Sequence, residues 1–237
     1  MVAWLRFFAR RPVVLTFRTG IRVACRPGTS DWAVVHELMA GSYSSALRDL
    51  AGRRGPGVVL DLGGNIGCFS LWCAALNRHV QVIAYEPEAS NLSAFRFNLD
   101  LNPHLAGRVA IRPVAVAGLA GTAVLNVPGN LAGANIIPGR RGTSTPQLDV
   151  EVRAFSQVVQ EVAGTIHLVK MDIEGSEFSI VESTSPEVWA GIPAVAMEIH
   201  DDPALGMRRD ELLNRLGALG YTTSEDPMAS WFARRAQ

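Results

Sequence analysis

Val58-Val59-Leu60-Asp61-Leu62-Gly63-Gly64-Asn65-Ile66-Gly67 is the stretch on which the reading of this chain turns. Pro56 and Gly57 break what precedes it, and Val58–Leu60 form an apolar, β-branched burst suited to a strand buried on both faces of a parallel sheet. A glycine-dense turn follows, and Phe69–Leu76 then reads as an apolar helix. Strand, glycine turn and helix N-terminus together make a ligand cradle in open α/β sheets. The glycines allow close approach, and the free N–H groups of the first helical turn point at what arrives.

The spacing narrows the ligand. A dinucleotide fingerprint needs G-x-G-x-x-G, whereas here Asp61-x-Gly63-x-Asn65-x-Gly67 stands, with Gly64 between. An acid at the strand end repels pyrophosphate but accepts hydrogen bonds from an ammonium group, directly or through water. That favours a ligand with an amino-acid end, such as S-adenosylmethionine. The same residues also suit a plain tight connection in which Asp61 caps the helix. A second strand, Gln81–Tyr85, ends at Glu86-Pro87-Glu88, with Glu86 25 positions after Asp61. An acid there faces ribose hydroxyls in the first βαβ unit of such sheets. Pro87 stops the strand, and Ser90 and Asn91 open the helix Ala89–Leu101, within reach of the ribose or the adenine edge.

A third stretch, His167-Leu168-Val169-Lys170-Met171-Asp172-Ile173-Glu174-Gly175-Ser176-Glu177, repeats the scheme of strand, carboxylate and glycine. Taken in order, DLGGNIGCFS, YEPEASNLSAFRFNLDLN, VKMDIEGSEFSIVE and AMEIH resemble the motif series of the FkbM family of S-adenosylmethionine-dependent methyltransferases. The resemblance runs from about Val13 to the C-terminus, and KMDIEGSE is its most family-specific piece. It implies an α/β fold: a class I methyltransferase Rossmann-like doubly wound sheet, mostly parallel, of seven strands, with an N-terminal cap. It implies S-adenosyl-L-methionine as cofactor and O-methylation of a hydroxyl on a sugar or natural-product scaffold, with a small-molecule or glycan acceptor. N-methylation of an amide or amino group, and a non-catalytic binding module of the same fold, are the alternatives. Family members often carry an Asp after the strand that follows the long loop, where Phe155-Ser156 stands here.

Methyl transfer is an in-line displacement that asks the protein to position the acceptor and, for a hydroxyl, to take a proton. The strand Pro193–Ile199 ends in Glu198-Ile199-His200, which places Glu198 and His200 beside Asp172 and Glu174 at neighbouring strand ends. His200 is the natural base, its imidazole titrating near neutrality. Capping the strand end against Asp201 or Asp202 is its structural alternative. Asp172, Glu198 and His200 also offer donors for a divalent metal, a reading not favoured on this spacing. Lys170 is the one lysine among 22 basic residues. It shares a strand face with Asp172, either as a buried ion pair or, with a lowered pKa, as a base.

The 237 residues, 48% of them hydrophobic, suffice for one substantial core and are read as a single domain, 1–237, with residues 1–55 as a cap. Net charge is zero, so no whole-chain field argues for nucleic acid. No apolar run is long enough to span a bilayer, the opening MVAWLRFFARRP reads as a short amphipathic helix, and a cytoplasmic protein is expected. Cys25, Cys68 and Cys73 show no metal or disulfide spacing. The cap should hold a hairpin, Val13–Phe17 with Ile21–Ala24, and a helix from Asp31 to Met39 with Asp31 as N-cap; Tyr43 lies near the cofactor or packs in the core. Val109–Val116 is expected as strand three, with Ala115 and Val116 touching the adenine. Thr122–Val127 and Val150–Phe155 suit a strand pair. The Gly- and Pro-rich loop 128–147 between them is expected to form a lid, with Asn135 and Arg140–Arg141 as acceptor contacts.

Overall fold

The computed structural model describes residues 11–126, 135–136, 147–201, 206 and 208–235. The expected N-terminal amphipathic helix lies outside these, as does most of the expected lid, including Arg140 and Arg141; Asn135 is described only as part of a two-residue strand.

Strands β1 (Val13–Thr16) and β2 (Arg22–Cys25) form an antiparallel hairpin, followed by helices α1 (Asp31–Ala40) and α2 (Ser44–Gly52). Then come β3 (Gly57–Leu62), α3 (Cys68–Leu76), β4 (Val80–Tyr85), α4 (Ala89–Asp100), α5 (Pro103–Ala106), β5 (Val109–Arg112), β6 (Ala115–Ala117), β7 (Gly121–Asn126), β8 (Asn135–Ile136) and β9 (Gln147–Ala154). The chain continues through α6 (Phe155–Gln160), β10 (Ile166–Met171), α7 (Ser176–Ser183), α8 (Pro186–Ala190), β11 (Ala194–Glu198), α9 (Arg209–Ala218), β12 (Tyr221–Glu225) and β13 (Ser230–Arg235).

Seven strands make the main sheet in the order β12-β13-β11-β10-β3-β4-β5. The five from β11 to β5 are mutually parallel, and β13 runs antiparallel to both of its neighbours. All six residues of β3 and of β10 are buried, as the apolar bursts require of strands covered on both faces. Their side chains alternate between two cores. Val59, Val82, Ala84, Leu168 and Ala196 pack with α3 and the N-terminal segment, whereas Val58, Leu60, Leu62, Val169 and Met197 pack with α6, α7, α8 and α9. The chain order reverses between β3 and β10, so the carboxyl ends of those strands flank the crevice where open sheets bind ligands.

Two expectations change and one helix is added. Val109–Val116 is not one strand. Proline lacks the ladder N–H, and at Pro113 the chain leaves the main sheet; β6 joins a second sheet ordered β6-β9-β7-β8. Helix α2 was not legible, because its apolar stripe is narrow, with only Ala46 and Leu50 fully buried one turn apart. Asp31 is the first residue of α1 rather than its cap. Ser30 holds the cap position, and the Asp31 carboxylate instead accepts from the Arg26 backbone N–H at 2.7 Å and from its guanidinium at 2.8 and 2.9 Å.

Candidate active site

The turn after β3 holds Gly63, Asn65 and Gly67 at positive φ of 79°, 47° and 88°. A Cβ on Gly63 would sit 1.8 Å from the Asp172 carbonyl oxygen, and one on Gly67 2.3 Å from the Phe95 ring. These glycines therefore make room for the protein's own backbone and core as much as for a ligand. The turn is held by Glu86, whose Oε2 accepts from the Asn65 N–H at 2.7 Å and whose Oε1 accepts from the Glu88 N–H at 2.9 Å. Burial pushes Glu86 up to about 7 despite those two bonds. The Asn65 side-chain oxygen is buried with no hydrogen-bond partner among the described residues.

Behind this turn runs a buried charge chain. Asp61 is fully buried, accepts from Ser70 Oγ at 2.6 Å and lies 3.5 Å from Lys170 Nζ. Lys170 donates to the Gly63 carbonyl at 2.7 Å and pairs with Asp172 at 3.3 Å. The Tyr43 hydroxyl donates to the same Asp172 oxygen at 3.3 Å, and its ring packs edge-on against Phe69. The ammonium group that Asp61 meets is thus Lys170's own. Burial lowers the Lys170 pKa, but Asp172 and Asp61 outweigh it and raise the pKa above its ordinary value, so it stays charged and is unsuited to a base role.

The turn after β10 concentrates carboxylates. Glu174 takes positive φ at 54°, and Gly175 at 100° leads into α7. Glu177, fully buried, accepts from the N–H groups of Ile173 at 3.0 Å and Gly175 at 2.8 Å, tying the turn to its own helix. Its Oε1 also meets His200 Nδ1 at 3.2 Å, while His200 Nε2 lies 3.4 Å from Glu174 and 3.8 Å from Glu198. Burial opposes the imidazolium, but Glu177, Glu174 and Asp172 outweigh it and raise His200 to about 9. Burial and the nearby Asp172 charge push Glu198 up to about 7. Burial, and then Asp172, also raise Glu37 of α1.

A cavity of about 200 Å³ joins the two turns. Of the expected residues, Gly63, Asn65, Glu86, Pro87, Asn91, Ala115, Val116, Asp172, Glu198 and His200 line it. Asp61, Gly64, Gly67, Ser90 and Lys170 do not; Ser90 is exposed on α4, and the other four are buried behind the wall. Ser90 Oγ and Asn91 Oδ1 both accept from the Arg26 guanidinium, at 2.5 and 2.7 Å, which clamps α4 to the N-terminal segment. Glu174, expected beside Asp172, also lines the cavity, and seven wall residues went unread in the sequence: Ser30, Ala33, Val34 and Glu37 come from the cap, where no motif marks them, and Tyr85, Leu125 and Ile173 are apolar or aromatic residues with no distinguishing signal. Asp172, Glu174 and His200 each present a ligand atom within 4.8 Å of the others, an oxygen-and-imidazole set compatible with a divalent cation. Glu174 takes the place expected for Glu198 in that set.

A family model, the methyltransferase FkbM domain, matches residues 61–222, a span that begins at Asp61 and takes in both turns and His200. This chain belongs to the FkbM methyltransferase family. Among curated relatives, Methyltransferase sdnD of Sordaria araneosa is 26% identical over 191 residues, covering 67% of this chain and 72% of that protein. The 31-O-demethyl-FK506 methyltransferase FkbM of Streptomyces tacrolimicus is 28% identical over 201 residues, covering 72% and 75%. Magnesium protoporphyrin IX methyltransferase of Synechocystis PCC 6803, solved with bound SAM, superposes with a TM-score of 0.52 at 10% identity, over 98% of this chain and 89% of that one. That likeness carries the fold, the class I methyltransferase architecture. This FkbM-family chain is a methyltransferase, and no helix among its described residues is long and apolar enough to cross a membrane.

Proposed function

We propose that the cavity binds S-adenosyl-L-methionine and that the enzyme methylates a hydroxyl on a small molecule, a sugar or natural-product scaffold. The observation that carries this reading is one cavity with two different walls: a glycine turn tied to Glu86, and a turn that gathers Asp172 and Glu174 beside Glu198 and His200. The residues fit the cofactor. Glu86 keeps a free lone pair on each oxygen for ribose hydroxyls, Asn65 offers a buried oxygen with no partner, and Ala115 and Val116 form an apolar wall for the base. Pro87 and Asn91 complete that end. Asp61 acts through Lys170 and the Gly63 carbonyl rather than by touching the ligand.

The cofactor supplies an already activated methyl group on a sulfonium. The chain must orient the acceptor and remove its proton. Glu177 engages His200 Nδ1, which leaves Nε2 as the atom that takes the hydroxyl proton. Since three carboxylates favour the imidazolium, activity should rise with pH through an ionisation above that of free imidazole. Asp172, Glu174 and Glu198 orient the acceptor and stabilise the imidazolium. The acidic wall also suits an amine acceptor, the second reading. We also read the chain as a single domain, with the segment before β3 as its cap, because that segment packs into the same core as β3 and β4.

Isothermal titration with S-adenosylhomocysteine tests the binding half, and mass-spectrometric detection of one added methylene across a panel of hydroxyl and amine acceptors tests the transfer half. Absence of S-adenosylhomocysteine binding would overturn the reading; methylation of amines alone would replace hydroxyl with amine.

A further inference from the structure

A second cavity, of about 480 Å³, opens at the opposite end of the sheet. Arg48 of α2, Arg53 and Arg54 of the connector into β3, His167 at the start of β10 and Arg234 near the end of β13 line it, with Asp49 as its one acid. β13 runs antiparallel to β11, with Arg234 paired to Ala194, so all of these residues lie at the amino ends of the parallel strands. The Asp49 charge is already used, since its carboxylate meets Arg53 at 2.8 Å and Arg234 at 3.3 Å. Arg48 reaches only Ser45 Oγ, at 3.0 Å, and Arg54 has no ion-pair or hydrogen-bond partner among the described residues.

The imidazole shows that this is more than a solvated face. His167 is 6% exposed, yet its side chain makes no hydrogen bond among the described residues, and its Nδ1 is buried without a partner there. The ring lies against Gly57, where an added Cβ would fall 2.3 Å from Nδ1. A buried N–H there would have no acceptor, so the ring proton belongs on Nε2, the nitrogen left for the cavity. Four guanidinium groups, one imidazole N–H donor and one spent carboxylate leave a surplus of positive charge and of unpaired donors in a concave site.

We propose that this cavity is a binding site for a small molecule carrying a phosphate or diphosphate group, separate from the methyl-transfer cavity. Guanidinium forks match tetrahedral oxyanions bidentately, and the volume leaves room for more than one phosphate. The proposal does not depend on which acceptor the enzyme methylates.

The test is titration of the full chain with inorganic pyrophosphate and with inorganic phosphate at constant ionic strength, with chloride as control. Both should bind, pyrophosphate the more tightly. Arg48→Ala/Arg54→Ala, which alters only exposed side chains, should weaken pyrophosphate by about 10–100-fold, the cost of losing charge-assisted hydrogen bonds. His167→Phe, which keeps a flat ring over Gly57, should weaken it as well. S-adenosylhomocysteine affinity should be unchanged in both variants. Pyrophosphate no better than chloride, or equal pyrophosphate affinity in the double variant, would overturn the site. Binding of a single-stranded oligonucleotide with a steep salt dependence, in place of pyrophosphate, would also overturn it, in favour of a polyanion surface.

Discussion

The turns after β3 and β10 are built on the same plan and differ in what ties them down. Each places residues at positive φ between a buried strand and a helix, and each has a carboxylate that collects two backbone N–H groups. In the first turn the carboxylate is Glu86, borrowed from the end of the neighbouring strand. In the second it is Glu177, from the turn's own helix. A tether from the next strand leaves the acid at the cavity wall, where it can still accept from a ligand. A tether from within the helix buries the acid completely and turns it toward His200. The first turn is thus suited to binding and the second to tuning an ionisable group. They meet where Gly63 packs on the Asp172 carbonyl, beside the Lys170 ammonium that bridges the Gly63 carbonyl and the Asp172 carboxylate.

That contact should give the largest effect. Gly63→Ala sets a methyl group 1.8 Å from a backbone oxygen at φ 79°, so both turns must move apart. We expect a loss of about 4 kcal/mol or more in urea denaturation, the range reserved for overpacking and backbone strain. A stable variant that binds S-adenosylhomocysteine normally would show that the two turns are independent.

The next effect separates tuning from binding. His200→Ala should lower kcat by roughly 10²–10⁴ while leaving S-adenosylhomocysteine affinity unchanged. Full activity in the variant would remove the second turn from proton transfer. Loss of wild-type activity on dialysis against EDTA, restored by Mg²⁺, would instead assign Asp172, Glu174 and His200 to a metal.

The two tethering acids can then be compared directly. Glu86→Ala should weaken S-adenosylhomocysteine by about 1.5–3 kcal/mol, the range for hydrogen bonds to a charged group. Glu177→Ala should leave that affinity nearly intact, destabilise the fold by leaving the Ile173 and Gly175 N–H groups unpaired, and return His200 toward its ordinary titration range, read by NMR. The reverse pattern would exchange the roles given to the two turns.

How much of this was legible follows from where each signal resides. Strand–turn–helix units are local, so β3, β4, β10 and β11 and the acids that follow them could be read from apolar bursts and glycines. The side to which a carboxylate turns is not local. Asp61 carries the residue type of a ligand acid, but Lys170, more than a hundred positions away, takes its charge. Arg26 and Glu37 were invisible for the same reason: each acts across a packing contact between the cap and the sheet, and no spacing rule connects them to it. The general base was legible as a residue type, whereas the three carboxylates that raise its pKa, all within residues 172–177, meet it only when two strand ends are brought together in the fold. Pro113 was noticed as a break, but a break does not say that the chain changes sheets.

The smallest effect, and the one that reads both turns at once, is the pH dependence of stability. Glu86 and Glu198 are carboxylates raised from 4.5 to about 7, so the folded state binds more protons than the unfolded state between those values. Their contribution is present below about 4.5 and is lost as pH rises through 7. His200, raised from 6.5 to about 9, contributes below 6.5 and loses that contribution as pH rises through 9. His167, lowered by burial and by Arg53, works in the opposite direction just below 6.5. The ligand-free protein should therefore lose stability as pH climbs from about 5 to about 9, with the partly exposed Glu198 contributing least because solvent screens it. Thermal unfolding across that range checks it. Glu86→Gln should flatten the acidic part of the slope, which belongs partly to the first turn, and His200→Ala the alkaline part, which belongs to the second. A stability that rises over the whole range would mean that the carboxylates are relieved of one another's charge in solution, and the contrast between a binding turn and a tuning turn would fail with it.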